Sequence, residues 1–199
     1  VGIGTVGGGT FRVLQRNQEE IRRRAGRGIE ICVVAARDQA RARSVVGSSV
    51  RVTADPFDGV NEPNVDIVVE LIGGLEPARE FILAAINGGA SVVTANKALL
   101  AHAGAELHDA AAANGVDLAF EASVAGAIPL LRPLRESLAG DKVVRILGIV
   151  NGTTNYILTR MDESGADYWD ALAAAQALGV AGADPTADVE GLDAAAKAA

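Results

Sequence analysis

Short apolar runs alternate with amphipathic or alanine-rich stretches over the first part of the chain. The runs have the length and composition of buried strands, and the stretches between them have helical spacing. Apolar strands that alternate with helices predict an α/β fold with a doubly wound parallel sheet covered on both faces. The predicted strands are residues 29–36, 50–53, 65–71, 90–94 and 116–121. The predicted helices are residues 7–25, 39–46, 77–87 and 99–114.

The alternation ends near Gly126. Residues 129–138 predict a helix, residues 143–151 form a long β-rich run, and further helices follow. This change of pattern indicates a second domain of the α+β class. The expected domains are residues 1–127 and residues 128–199.

The two ends of the chain have the pattern of interrupted elements. Val1 reads as the last residue of a strand, and residues 193–199 read as a helix without a C-terminal cap. We therefore expect the chain to be truncated at both ends, with the second domain represented only by its start.

Composition and charge narrow the class of protein. Hydrophobic residues make up 49% of the 199 residues, which is enough for a substantial core. The formal net charge of −7 leaves no broad basic face, so we expect neither a nucleic-acid nor a membrane partner. Cys32 is the only cysteine, which excludes an internal disulfide and fits a cytoplasmic protein. No apolar run reaches the roughly 20 residues of a membrane helix.

A glycine-rich turn opens the chain between a strand end and a helix, with the spacing G-x-G-x-x-G. The first glycine permits the tight turn, the second lets the backbone approach a pyrophosphate, and the third lets the helix pack on the sheet. The helix N-terminus then offers free N–H groups to the phosphates. The first domain is therefore predicted to be a Rossmann-type dinucleotide-binding domain. The predicted cofactor-binding residues of the turn are Gly2, Gly4, Thr5, Val6 and Gly7.

The end of the second strand carries Arg37 followed by Asp38. An acidic residue at this place usually binds the ribose hydroxyls of NAD, whereas an arginine accepts the additional phosphate of NADP. Because Arg37 comes first, we favour NADP and predict that Arg37 binds its phosphate. NAD stays open as the alternative.

Thr94 and Lys97 follow a predicted strand at the carboxyl edge of the sheet, where ligands bind in doubly wound folds. A lysine at this edge faces the cofactor crevice. We therefore predict that Thr94 and Lys97 contact the cofactor.

Six segments together make the chain resemble the homoserine dehydrogenases. They are residues 2–9, 69–74, 93–100, 121–126, 151–158 and 183–191. The resemblance implies an oxidoreductase that interconverts L-homoserine and L-aspartate 4-semialdehyde with NAD(P)(H). It also implies a role in threonine, methionine and isoleucine biosynthesis, and we expect a homodimer or a larger homo-oligomer.

The resemblance also assigns site residues. It makes Lys97 a catalytic residue at the active site beside the nicotinamide, and it makes Lys197 the second catalytic lysine and the candidate for proton transfer. Asp193 helps to hold the substrate, and on a helix it shares one face with Lys197 because the two are four residues apart. Thr153 is the expected contact to the amino-acid end of the substrate, in the turn that joins a strand to a helix.

The resemblance further implies a site for a monovalent cation, with sodium the expected ion. Its ligands are mainly backbone carbonyl oxygens, which suit hard cations. The residues carried over are Glu121, Val124, Gly126 and Ile128.

Three positions depart from the family pattern. Ala127 stands where the family usually has glycine, and Val180 replaces a tyrosine or phenylalanine. Gly182 replaces a glutamate that binds the ammonium group of the substrate. We expect weaker homoserine binding unless a neighbouring carboxylate, such as that of Asp188, takes over.

Alternative functions belong to different classes. An aspartate semialdehyde dehydrogenase needs a cysteine nucleophile. Cys32 is predicted to lie inside a buried strand, which argues against this alternative. A non-catalytic NAD(P)-binding sensor would keep the glycine turn but need neither Lys97 nor Lys197. Another NAD(P)-dependent dehydrogenase of amino-acid metabolism, with an altered substrate, is a third possibility. The sequence leaves open the cofactor preference, the oligomeric state and whether a regulatory domain follows.

Overall fold

The computed structural model describes residues 1–199, which divide into two compact units. The first unit is Val1–Ser123 and the second is Val124–Ala199. No helix in either unit combines the length and the apolar character needed to cross a membrane.

The first unit contains five short strands, and every pair of adjacent strands is parallel. One sheet pairs β1 with β2, and the other has the order β3-β4-β5. The strands are β1 (Val33–Ala35), β2 (Arg51–Thr53), β3 (Ile67–Glu70), β4 (Ser91–Thr94) and β5 (Leu118–Ala119).

The first two residues of the chain lie between the two sheets and connect them by hydrogen bonds. The N–H of Gly2 donates to the carbonyl of Ala35 at 3.0 Å, and the N–H of Leu71 donates to the carbonyl of Val1 at 3.0 Å. The order across the unit is therefore β2, β1, residues 1–2, β3, β4 and β5. This is the doubly wound order, in which ligands bind beyond the carboxyl ends of the strands at the switch point. The predicted Rossmann-type α/β fold is confirmed.

Six helices cover these strands, and their apolar faces form two cores. One core packs the helices that follow β3 and β4 on those strands, with Ile82, Val92 and Leu107 completely buried. The other contains Phe11 and Val46 and covers β1 and β2. The helices are α1 (Thr5–Arg16), α2 (Gln18–Ala25), α3 (Gln39–Val46), α4 (Pro56–Val60), α5 (Ala78–Asn87) and α6 (Lys97–Asn114).

Two predicted helical features of this unit need correction. The single helix over residues 7–25 is two helices that break at Asn17, where φ is −106° and ψ is 20°. The second of these helices, α2, has no buried residue that would hold it on the axis of α1. Sequence periodicity also missed α4, which is too short for a periodic pattern. It begins because Asp55 accepts the N–H of Phe57 at 2.9 Å and Pro56 occupies the first turn.

The predicted strand over residues 29–36 is shorter than expected, and Cys32 is exposed rather than buried. Pairing with β2 begins at Val33 opposite Arg51, and β2 itself has three residues. A strand extends only as far as its neighbour supplies hydrogen-bonding partners. The apolar residues before Val33 therefore stay outside the ladder.

The second unit consists of helices and irregular segments and contains no strand. Its core packs Ile157 against Ala171, Leu172 and Ala175. A π-helical turn at Pro133–Ser137 replaces most of the predicted helix over residues 129–138. The α-helices are α7 (Gly152–Ser164), α8 (Tyr168–Ala177), α9 (Thr186–Val189) and α10 (Leu192–Ala198).

The β-structure predicted for residues 143–151 is not formed. Residues 143–150 have no regular secondary structure, and Val144 and Leu147 are 85% and 83% exposed. A strand needs a neighbour to pair its N–H and C=O groups, and no other strand lies within the second unit. Residues 124–199, the start of the second domain, therefore contain helices but no strand.

Candidate active site

The glycine turn has the geometry that a dinucleotide requires. Gly2 has a φ of +91°, and a Cβ on Gly7 would lie 2.2 Å from the carbonyl oxygen of Gly2. Both positions therefore require glycine for the turn and for close packing. A Cβ on Gly4 would meet nothing within 4 Å, so its surroundings are open at the point where a pyrophosphate approaches the backbone. Helix α1 begins directly afterwards, and its first N–H groups have no partner within the helix.

Asp38 and Arg37 have different surroundings at the end of β1. The carboxylate of Asp38 accepts the N–H of Arg41 at 2.9 Å and thereby caps α3. Arg37 is exposed. Because the carbonyl of Ala35 pairs with Gly2, this strand end lies beside the glycine turn. Arg37 is therefore an exposed cation beside the glycine turn, while the Asp38 carboxylate is already engaged.

A buried carboxylate that sequence reasoning missed lies at the end of β3. Glu70 has no exposed surface, and its Oε1 accepts the N–H groups of Ile72 at 2.8 Å and Gly73 at 3.1 Å. Its Oε2 accepts the hydroxyl of Thr94 at 2.6 Å, and Thr94 is also completely buried. The sequence signal that could have revealed Glu70 was a charged residue within an apolar strand. A carboxylate at such a position is normally buried only together with hydrogen-bonding or ionic partners.

The same hydrogen-bonded network continues to Lys97. The N–H of Asn96 donates to the Thr94 hydroxyl at 3.0 Å, and its side-chain amide donates to the carbonyl of Gly74 at 2.7 Å. The Asn96 Oδ1 then accepts the N–H of Leu99 at 3.2 Å and caps α6. Lys97, the first residue of α6, is thus held at a defined place beyond the end of β4.

The burial of Thr94 changes its predicted role. Its side chain has no exposed surface and its hydroxyl is bonded to Glu70, so the side chain is closed to a cofactor. A contact through its backbone stays a prediction.

Asp193 and Lys197 form an ion pair on one face of α10, as their spacing predicts. Lys197 Nζ lies 2.5 Å from Asp193 Oδ2, and the side chains of Lys197 and Asp193 are only 17% and 10% exposed. Lys197 Nζ also donates to the carbonyl of Val150 at 2.5 Å. Two partners therefore fix the lysine ammonium, and the pair is much less exposed than an ordinary surface salt bridge.

Asn151 joins this pair to Asp188. The side-chain amide of Asn151 donates to Asp188 Oδ1 at 2.7 Å and to Asp193 Oδ2 at 2.9 Å. Three predicted site residues (Asp188, Asp193 and Lys197) are thus brought together around Val150 and Asn151. Sequence reasoning missed Val150 and Asn151, because their partners in this cluster lie 37 to 47 residues away in the chain.

Thr153 is buried beside this cluster. Its hydroxyl donates to the carbonyl of Val180 at 3.0 Å. The amide of Gln176 donates to the carbonyls of Gly182 at 3.2 Å and Ala183 at 3.3 Å. Side chains thus hold the segment that departs from the family pattern. A Cβ on Gly182 would have only an ordinary contact, 3.7 Å from the carbonyl oxygen of Asp184, so the backbone there accepts a Cβ.

Asp184 begins the next turn and is engaged locally. Its carboxylate accepts the hydroxyl of Thr186 at 2.6 Å and the N–H of the same residue at 3.1 Å. These two hydrogen bonds lower the pKa of Asp184. The carboxylate is therefore used to organise the start of α9.

The predicted cation loop is strained at two alanines. Ala125 has a φ of 49° and Ala127 a φ of 68°, and the N–H of Ile128 donates to the carbonyl of Ala125 at 2.9 Å. Glu121 belongs to the first unit, and the other three predicted ligands belong to the second. No group of His, Cys, Asp or Glu side chains in the chain is arranged to hold a metal. A site made of backbone carbonyls stays a prediction.

Sequence models of one family match both units. The model described as "Homoserine dehydrogenase, NAD binding domain" matches residues 2–121, and the one described as "Homoserine dehydrogenase" matches residues 129–199. The chain belongs to the homoserine dehydrogenase family. The resemblance predicted from six short segments is therefore confirmed, and residues Asp188, Asp193 and Lys197 fall within the second matched region.

Individual homoserine dehydrogenases are similar over nearly the whole chain. That of Pseudomonas aeruginosa is 54% identical over 196 residues, which are 98% of this chain and 45% of that protein. That of Corynebacterium glutamicum is 54% identical over 199 residues, which are 100% of this chain and 44% of that protein. The chain thus spans less than half the length of these curated relatives.

Solved structures of homoserine dehydrogenases have the same fold. The enzyme from Thiobacillus denitrificans has a TM-score of 0.94 and 54% identity, over 98% of this chain and 45% of that chain. A hyperthermophilic archaeal homoserine dehydrogenase in complex with NADPH has a TM-score of 0.86 and 30% identity. That similarity covers 99% of this chain and 65% of that chain.

Membership of the homoserine dehydrogenase family excludes the aspartate semialdehyde dehydrogenase alternative. The position of Cys32 also argues against it, although not through the burial that the sequence predicted. Cys32 is exposed, but it precedes the amino end of β1. The glycine turn meets the carboxyl end of that strand, where Ala35 pairs with Gly2. A nucleophile at Cys32 would therefore lie at the wrong end of the strand for a cofactor in the crevice.

Proposed function

We propose that the protein is an NAD(P)-dependent oxidoreductase that interconverts L-homoserine and L-aspartate 4-semialdehyde. It would act in threonine, methionine and isoleucine biosynthesis. One observation carries the proposal most directly: the Lys197 ammonium is held between Asp193 and the carbonyl of Val150, with the Asp188 carboxylate joined to the same cluster. A fixed, shielded lysine beside two carboxylates suits a substrate that carries an ammonium group and a reacting oxygen.

The first unit fits a dinucleotide cofactor. The requirement for glycine at Gly2 and Gly7, and the open space at Gly4, support a pyrophosphate at the start of α1. The exposed Arg37 beside an engaged Asp38 supports a preference for NADP. When bound, the nicotinamide supplies or accepts the hydride. The residues proposed to hold the cofactor are Gly2, Gly4, Thr5, Val6, Gly7, Arg37, Lys97 and the backbone of Thr94.

The proposed chemistry of the second unit is proton transfer and charge stabilisation. As the aldehyde carbon gains a hydride, its oxygen develops negative charge. The Lys197 ammonium stabilises that charge and donates a proton to the oxygen, which yields the hydroxyl of homoserine. In the reverse direction the same nitrogen receives the proton. Asp193 keeps the lysine in place and helps to hold the substrate, and Asp188 contacts the amino-acid end of the substrate. Thr153, whose hydroxyl is bonded to the carbonyl of Val180, would contact that end through its backbone.

Three further proposals concern the whole protein. A monovalent cation, with sodium favoured, would bind the backbone carbonyls of Glu121, Val124, Gly126 and Ile128, since carbonyl oxygens suit hard cations. The protein would be cytoplasmic, which agrees with its single cysteine. It would form a homodimer or a larger homo-oligomer.

The proposal is tested by following homoserine-dependent reduction of NADP and of NAD by the full-length gene product. We expect reduction with both, faster with NADP at equal subsaturating concentrations. Cofactor binding without any reduction would contradict the proposal and favour the sensor alternative.

A second candidate is a related dehydrogenase with an altered substrate. The absence of a side chain at Gly182, where the family has a glutamate, favours it specifically. Turnover is therefore compared across homoserine and other hydroxylated amino acids. A larger kcat/KM for one of the others would identify this second function.

A further inference from the structure

Asn151 is the residue that contacts both carboxylates of the cluster formed by Asp188, Asp193 and Lys197. Each hydrogen of its side-chain amide is used, one on Asp188 at 2.7 Å and one on Asp193 at 2.9 Å. The residue is 7% exposed, so water does not compete freely for these bonds. A single planar group therefore sets the separation and orientation of two carboxylates from different helical segments.

The neighbouring peptide contributes to the same arrangement. The carbonyl of Val150 accepts Lys197 Nζ, and that nitrogen also pairs with the Asp193 oxygen that Asn151 holds. Two carboxylates close together repel each other unless donors lie between them. The amide and the ammonium are these donors, and only the amide reaches both carboxylates.

We propose that Asn151 is a positioning residue that aims Asp188 at the ammonium group of the substrate and holds Asp193 against Lys197. This inference rests on the proposed homoserine dehydrogenase function. It also addresses the departure at Gly182, because a fixed Asp188 supplies part of the negative charge that the missing glutamate would have given. Asn151 acts through these two side chains and need not touch the substrate.

Capping and positioning use different atoms of Asn151, so they can be separated. The Oδ1 accepts the N–H of Thr154 at 2.8 Å and its hydroxyl at 2.9 Å, which caps α7. Serine and aspartate cap helices about as well as asparagine, but neither has an amide to donate. Asn151→Ser and Asn151→Asp therefore keep the cap and remove the bonds to Asp188 and Asp193.

A matched control is available in the same unit. Asp167 caps α8 by accepting the N–H of Asp170 at 3.0 Å and has no contact with the cluster. Asp167→Ala removes a helix cap of the same kind. It is expected to lower Tm while leaving the KM for homoserine unchanged.

The experiment measures kcat, both KM values and Tm for the full-length protein and these variants. For Asn151→Ser we expect a Tm lowered by a few °C, because the helix cap is kept but two buried hydrogen bonds to carboxylates are lost. We also expect a KM for homoserine raised about tenfold or more, because hydrogen bonds to charged groups are lost. The KM for NADP should be unchanged. Asn151→Asp should raise the KM for homoserine further, because it adds a third carboxylate.

A KM for homoserine that stays at the wild-type value in Asn151→Ser overturns the inference. So does an equal rise in Asp167→Ala, since loss of a cap would then explain it. A wild-type protein that fails to oxidise homoserine refutes the proposed function instead. In that case a crystal structure of Asn151→Ser decides the positioning role: displaced Asp188 and Asp193 carboxylates support it, and unmoved ones overturn it.

Discussion

The carboxylate of Glu70 accepts the hydroxyl of Thr94 at 2.6 Å across two adjacent parallel strands, and both side chains are completely buried. The bond lies at the carboxyl ends of β3 and β4, where a cofactor crevice opens in this fold. Through Asn96 it reaches the first turn of α6 and fixes the starting position of Lys97. The network therefore connects the fold of the first unit to its proposed cofactor site.

Replacement of Glu70 by glutamine is expected to destabilise the protein. Glutamine keeps an acceptor for the N–H groups of Ile72 and Gly73, but its amide cannot accept the Thr94 hydroxyl. Loss of a buried hydrogen bond to a charged group should lower the free energy of unfolding by about 1–3 kcal/mol. Urea unfolding measures this difference.

The matched control for that change is Glu80→Gln, on the exposed surface of α5. It should alter the free energy of unfolding by less than about 0.5 kcal/mol. Equal changes in the free energy of unfolding for the two substitutions would show that the hydrogen bonds of the Glu70 carboxylate do not stabilise the fold.

Arg37 should determine the preference between NADP and NAD. Its side chain is exposed, while the neighbouring Asp38 is engaged in capping α3. Arg37→Gln should weaken NADP binding about tenfold, because a charge-assisted bond to the phosphate is lost, and should leave NAD binding unchanged. Titrations with both cofactors give the two Kd values. Arg43→Gln, at the other end of α3, serves as the control, and an equal loss of NADP affinity there would refute a specific role for Arg37.

Gly182→Glu should strengthen homoserine binding. The Cβ has room, and the new carboxylate restores the charge that the family uses for the substrate ammonium. Loss of one partner of a buried charged pair costs about 2–5 kcal/mol, so restoring it should lower the KM for homoserine at least about tenfold. Gly182→Gln, of the same size but uncharged, should give little change. If the glutamate variant also leaves the KM unaltered, Gly182 is not the site of the deficit.

Ala127→Gly should stabilise the protein. Ala127 has a φ of 68°, a conformation that is strained for alanine and free of strain for glycine. After the entropy of glycine in the unfolded chain is subtracted, a gain of about 0.5–1 kcal/mol is expected. The same substitution at Ala112, on the exposed face of α6, should have the opposite sign. Thermal unfolding compares the two, and a destabilised Ala127→Gly would contradict the strain.

Periodicity predicted the parallel sheet because its signal is local: each buried strand is a short apolar run between helices. It failed over residues 143–151, where the composition favours a strand but the second unit offers no neighbouring strand to pair with it. It also misjudged Cys32, because the length of β1 depends on β2 rather than on its own apolar residues. Secondary structure that depends on a distant partner is not encoded in the segment itself.

The candidate site, like the fold, was predictable where its contacts are local in sequence and not where they are distant. The pairing of Asp193 with Lys197 follows from their spacing on one helix. The meeting of that pair with Asp188 depends on Asn151, which is 42 residues from Asp193 in sequence. The role of Glu70 was hidden in the same way, since its partner lies 24 residues away on the next strand. Family resemblance supplied the reacting residues, but only the fold could supply the residues that hold them.

The central claim is that Lys197 transfers the proton in a homoserine dehydrogenase, and Lys197→Met tests it most directly in the full-length protein. Steady-state oxidation of homoserine at saturating NADP is compared with the wild type and with Lys142→Met, an exposed lysine of the same unit. The account predicts an active wild type and an active Lys142→Met. It predicts a kcat about 100-fold or more lower in Lys197→Met, with NADP binding intact. A wild-type kcat in Lys197→Met would contradict it.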